Sequence, residues 1–188
     1  MNPVGVGNFY VNHTIRGATP EAVAKALAGR TAIIAPSDND CVVVFDSECD
    51  TQDQAVISEL GEKLSVELKA TVLAVLNHDD DILWYQLFQN GKVVDEYDSM
   101  PGYFDEDSDH SGALGGDAAK LAAAFGVEDE LGIARILKSD KYAFAVERHG
   151  ALCEALGLPE FAAGCGYRYI SEGELPDGLD ENDLLRIG

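Results

Sequence analysis

Hydrophobic and polar residues alternate over 9–15, setting Phe9, Val11, His13 and Ile15 on one side of an extended segment, the period-two pattern of a strand. Thr19 followed by Pro20 marks a helix start, and Val23, Ala26 and Leu27 give that helix a short apolar stripe before Gly29 stops it. Residues 31–35 and 41–45 read as two strands joined by a Pro-, Ser-, Asp- and Asn-containing turn over 36–40. Thr51 with Gln54 forms a capping-box pattern, and Val56, Ile57, Leu60, Leu64 and Leu68 recur at helical spacing, which predicts a helix over 53–68. The unbroken apolar run 71–76 suits a central strand covered on both faces. This order, β-α-β-β-α-β, is that of the ferredoxin-like arrangement, in which two crossover helices cover one face of an antiparallel sheet.

Beyond it, Asn90-Gly91 separates the runs 82–89 and 92–99, a strong signal for a two-residue hairpin. A regular ladder from that turn pairs Gln89 with Lys92, Phe88 with Val93, Gln86 with Asp95 and Trp84 with Tyr97. Trp84, Tyr97 and Ile82 then share one face, and Leu83, Tyr85, Leu87 and Val94 take the other. Residues 101–116 turn to Gly, Ser, Asp and Glu, the composition of a surface loop or linker. Helices follow over 117–125 (capped by Asp117, stopped by Gly126), 128–138 and 140–156 (capped by Asp140, stopped by Gly157). Residues 164–170 carry the Tyr and Ile content of a short strand, and the chain from Ser171 reads as a polar tail. The expected fold is therefore α+β: a ferredoxin-like sheet domain over 8–100 that includes the added hairpin, a loop over 101–116, a helical subdomain over 117–170 and a tail over 171–188.

Charge narrows the function classes. Over 188 residues, 34 acidic side chains face 13 basic ones, for a formal net charge of -21 and a pI near 4.2. Such a field repels phosphate backbones and anionic lipid surfaces, because nucleic-acid binding depends on Lys and Arg displacing condensed counterions. It speeds encounter with a basic protein. With 46% hydrophobic and 25% charged residues, the chain has the composition of a folded domain. Cys41, Cys49, Cys153 and Cys165 contain no C-x-x-C pair, which favours free thiols. No signal-peptide pattern or membrane-length apolar run is present, so the expected location is the cytoplasm. Nothing in the pattern specifies an oligomeric state.

Several groups of residues carry candidate chemistry. Asp105, Asp107 and Asp109 start like an EF-hand loop, but His110 stands where Gly is required and Gly116 where the last Glu ligand belongs. His78, Asp79, Asp80 and Asp81 follow a buried strand and could ligate a divalent metal for a hydrolase, whereas the plainer reading is a β-turn. His149 and Cys153, four residues apart on one helix, could form a nucleophilic pair, although a mid-helix thiol away from positive charge is ordinarily packed and inert. His13 faces the core and has no expected role.

No nucleotide-binding loop, zinc-binding helix motif or nucleophile elbow is present, so no cofactor is expected, and an enzyme is less favoured than a binding protein. Trp84, Tyr97, Asp95, Glu96, Tyr103 and Phe104 combine aromatic rings with carboxylates, which suits capture of a basic partner. The functional expectation is an acidic protein-interaction module, a class that includes inhibitors of basic proteins. The alternative is a metal-assisted hydrolase using Asp79, Asp80 and Asp81.

Overall fold

In the computed structural model, which describes residues 7–103 and 112–188, β1 (Tyr10–Arg16) is buried up to Ile15. Its polar alternates therefore face a second protein layer instead of water. Asn12 donates to the Ala162 and Cys165 carbonyls at 2.7 and 3.1 Å on one side, and on the other His13 meets the Ile57 carbonyl through Nε2 at 3.1 Å. A strand buried on both faces must satisfy its polar side chains internally.

The remaining elements are α1 (Pro20–Ala26), β2 (Ala32–Ile34), β3 (Cys41–Asp46), α2 (Gln54–Glu67), β4 (Thr71–His78), β5 (Ile82–Gln89) and β6 (Lys92–Asp98), then β7 (Leu114–Gly115), α3 (Ala118–Phe125), α4 (Glu130–Lys138), α5 (Ala145–Leu156), α6 (Tyr167–Ser171) and β8 (Leu185–Ile187). Among the described residues this is a mixed α/β chain with six helices and one eight-stranded antiparallel sheet in the order β7-β6-β5-β4-β1-β3-β2-β8.

Alternation along the strands divides the core. Val11, Val42, Val44, Ala74, Trp84 and Phe88 meet Leu27 of the α1 C-cap and Leu60 of α2 on one face. Val43, Phe45, Leu73, Val75, Tyr85 and Tyr97 meet α3, α4, α5 and α6 on the other. The helices after residue 116 thus share a continuous cluster with the sheet. A Cβ on Gly61 of α2 would overlap the Phe88 ring, so the helix lies on β5 through its glycine.

Caps explain most boundaries and correct two of them. Thr19 accepts from the Ala22 amide, Asp117 from Lys120 and Asp129 from Gly132. At α2 the cap is Asp53, which accepts from Ala55, because Thr51 is used in the preceding 3-10 turn, where its hydroxyl donates to the Glu48 carbonyl at 2.7 Å. At α5, Asp140 is not the cap. The helix starts at Ala145, and the Glu147 carboxylate accepts from the Ala143 and Phe144 amides.

The expected strand at 164–170 is helical instead. α6 turns fully buried Ile170 into the core while the Tyr169 hydroxyl accepts from the Phe9 amide at 3.0 Å. The expected polar tail also contains β8, whose Ile187, Arg186 and Leu185 pair with Ala32, Ile33 and Ile34 of β2. A three-residue strand is too short to show periodicity, and it forms because β2 offers unpaired backbone groups.

Candidate functional sites

The β5–β6 hairpin turns through Asn90 and Gly91 at φ 51° and 72°, the left-handed pair that a tight two-residue turn needs. Gln89 pairs with Lys92 and Phe88 with Val93, after which the register slips: Leu87 pairs with Asp95, Gln86 with Glu96, Tyr85 with Tyr97 and Trp84 with Asp98. The expected pairing of Trp84 with Tyr97 is thereby corrected. Val94 is the extra residue of a β-bulge, and one inserted residue sends every later side chain of β6 to the opposite face.

Trp84 is consequently 3% exposed in the α1/α2 cluster and Tyr97 1% exposed in the other. Asp95 is also inside, where it accepts from the Tyr85 hydroxyl at 2.7 Å and from the Asp117 amide at 3.0 Å. Burial, and then the adjacent Asp95 charge, push the Tyr85 phenol up and keep it protonated. Glu96 is exposed and accepts from the Gln86 amide at 2.6 Å. Tyr103 is partly exposed and donates to Asp81 at 3.0 Å. Phe104 lies outside the described residues, as do Asp105, Asp107, Asp109 and His110. The rings of Trp84 and Tyr97 therefore hold the layers together and offer no contact area to a partner.

The acidic turn is built from Asp79 and Asp80 at φ 56° and 58°, with the Asp81 amide closing onto the His78 carbonyl at 3.1 Å. Its carboxylates diverge. Asp80 accepts from Asn8 Nδ2 at 2.8 Å and Asn77 Nδ2 at 3.0 Å, while Asp81 accepts from Tyr103. Among the described residues no three His, Cys, Asp or Glu groups are placed to hold a metal ion. The turn instead ties the chain at Asn8 to the start of α5, since the Asp80 carbonyl accepts from the Ala145 amide at 2.6 Å.

On α5, His149 and Cys153 are both buried, and His149 Nδ1 meets the Tyr10 hydroxyl at 2.8 Å. Its Nε2 has no partner, and burial pushes its pKa down to about 4. Burial also pushes the Cys153 thiol up to about 12, so no thiolate is available at neutral pH. The Tyr10–His149 pair escaped the sequence reading. The available signal was Tyr10 alternating onto the nominally polar side of a strand.

Two concavities gather polar groups. The first, about 600 Å³ in volume, lies where the β2–β3 turn meets the end of α5. Asp38, Glu154, Glu160 and Asp177 surround it, Leu158 and Phe161 contribute apolar surface, and among the described residues no Lys or Arg lines it. The turn is held there by Asn39, whose side-chain amide donates to the carbonyl of Gly157, the left-handed stop of α5.

The second, about 470 Å³, lies beside the ends of β4, β5 and β6 and the residues leading into α2. Leu76, Ile82 and Met100 give it an apolar wall, and His78, Asp98 and Tyr103 supply chemistry. Gln52 donates through Nε2 to the Asn77 carbonyl at 2.8 Å, so its oxygen faces His78 Nδ1 at 2.6 Å and fixes the proton there.

The chain matches no protein-family profile, no curated protein and no solved structure.

Proposed function

We propose that this chain is an acidic interaction module that binds a basic protein segment at the hollow between the β2–β3 turn and α5. One observation carries the reading: Asp38, Glu154, Glu160 and Asp177 line a single concavity that, among the described residues, has no cationic side chain in its lining, on a chain of net charge -21. Glu154 and Glu160 are exposed and can turn toward an incoming guanidinium, which carboxylates hold through paired hydrogen bonds. Leu158 and Phe161 suit the hydrocarbon stem of an Arg or Lys whose head stays among the carboxylates. The long-range field steers the approach and disfavours nucleic acid.

In this reading the hairpin is scaffold, and docking uses the C-terminal layer. The strand order β4-β1-β3-β2, with α1 and α2 packed on one face, supports a ferredoxin-like core extended by the hairpin. The four free, buried cysteines support a reducing, cytoplasmic setting.

A fluorescent nona-arginine peptide tests the site. Binding should weaken at least roughly ten-fold between low and moderately high salt. The pair Glu154→Gln and Glu160→Gln should weaken it at low salt by roughly the same factor, whereas Glu59→Gln with Glu67→Gln, on exposed positions of α2, should change it little. Equal losses from the two pairs would show that only net charge is sensed and would end the assignment of a site.

A further inference from the structure

We propose that the second cleft, walled by Leu76, Ile82 and Met100, is a binding site for a small ring-bearing ammonium ligand, with the Asp98 carboxylate as its counter-ion. The cleft shares no lining residue with the acidic hollow, so a ligand here does not depend on basic-protein binding.

Asp98 sits at the end of β6, paired in the ladder with Trp84 of β5 and Leu114 of β7. Its Oδ1 accepts from the Met100 amide at 2.9 Å, which fixes the carboxylate at the cleft wall. Among the described residues no Lys, Arg or His forms an ion pair with it. Partial burial pushes its pKa up, the mark of a charge with incomplete solvation and no compensating cation. A cation brought into this space recovers Coulomb energy that water is only partly placed to supply.

The rest of the lining selects the ligand body. Tyr103 and His78, which both line the cleft, meet edge to face with centroids 6.1 Å apart, so part of the lining is aromatic. The aliphatic and thioether groups of Leu76, Ile82 and Met100 suit a flat ring, and the volume of about 470 Å³ is that of a metabolite-sized site. Among the described residues no Lys or Arg lines the cleft to receive an anion. Aromatic rings and a carboxylate together match an aryl-alkyl ammonium ion better than a neutral or acidic relative of the same shape.

The probes are phenethylamine, 2-phenylethanol and phenylacetate, which present a cation, a neutral group and an anion on one ring. Trp84 is the only tryptophan of the chain, and its ladder partners Leu76 and Asp98 both line the cleft, so its fluorescence reports occupancy. The Met100 methyl resonance gives a second, independent readout. Phenethylamine should shift both signals saturably, at least roughly ten-fold more tightly than 2-phenylethanol, with no response to phenylacetate. Asp98→Asn, which keeps an acceptor for the Met100 amide, should abolish that preference while the urea midpoint stays within a few tenths molar of the parent. Absence of a saturable response, equal response to the three probes, or a preference that survives in Asp98→Asn would each overturn the proposal. Nona-arginine binding by the Asp98→Asn variant should be unchanged, which separates failure here from failure at the acidic hollow.

Discussion

Tyr97 stacks on Tyr85 with ring centroids 5.3 Å apart, and its hydroxyl donates a hydrogen bond to the Leu137 carbonyl at 2.8 Å. The contact joins the sheet to the end of α4, where Arg148 of α5 also reaches the Ile136, Leu137 and Ser139 carbonyls. Tyr97→Phe should cost only about 1 kcal/mol, because Arg148 continues to satisfy Leu137. Tyr97→Ala should cost about 3–5 kcal/mol by opening a cavity between the layers. Urea denaturation of the two variants checks the difference; similar losses would mean that the ring does not set this interface.

Arg30 holds Asp46 through two hydrogen bonds of 2.7 Å, and Asp46 also accepts from the Glu48 and Cys49 amides at 3.0 Å. The Asp46 side chain is fully buried, whereas that of Arg30 is 21% exposed. Removing the cation should therefore hurt more than removing the anion: Arg30→Met should cost about 3 kcal/mol or more and Asp46→Asn less, because Arg30 can turn to solvent. Burial alone would raise the Asp46 pKa, but the Arg30 guanidinium and the Cys49 amide outweigh it and hold it below the ordinary value. The stabilisation this pair supplies is complete above the unfolded carboxyl pKa and is lost as pH falls through the lower folded value. Equal losses from the two substitutions at neutral pH would contradict the asymmetry.

His149 remains neutral in the fold down to a pKa of about 4, against an ordinary value of 6.5, because it is buried. The unfolded chain takes up this proton first, so stability should decline as pH falls from about 6.5 toward about 4. His13, also lowered by burial, adds to the same decline. The double variant Tyr10→Phe with His149→Leu removes the imidazole without orphaning the phenol. It should flatten the acid limb of a stability-against-pH curve by up to roughly one bound proton. A limb of unchanged slope would place the proton uptake elsewhere.

Gly61→Ala should destabilise the protein even though Ala favours helices over Gly by roughly 1 kcal/mol. The added methyl overlaps the buried Phe88 ring, and overpacking of this kind costs about 1–3 kcal/mol. Phe88→Leu in the same chain should recover part of the loss. If Gly61→Ala alone raises the melting temperature, α2 does not sit as closely on β5 as described.

Local pattern accounts for much of this architecture. The Asn90-Gly91 hairpin, the β-α-β-β-α-β order and the caps at Thr19 and Asp117 are encoded within a few residues of where they act. Features set by distant segments are not legible that way. Val94 bulges with no glycine to announce it, and that one residue separates Trp84 from Tyr97. The Tyr10–His149 contact spans 139 positions, and the acidic hollow draws on the β2–β3 turn, α5 and residues near Pro176. Residues 164–170 have β-like composition, yet buried Ile170 is supplied to the core from a helix, and tertiary packing overrides propensity.

The two outermost strands bear on colloidal behaviour. β8 occupies the free side of β2 with three residues, and β7 meets β6 only at Tyr97 and Asp98, so that among the described residues no strand covers the outer side of Lys92 and exposed Val93. Deleting 185–188 would uncover Ala32, Ile33 and Ile34 as an apolar template for strand addition by another molecule. β8 thus covers one margin of the sheet against strand addition, and the charge of Lys92 disfavours it at the opposite margin.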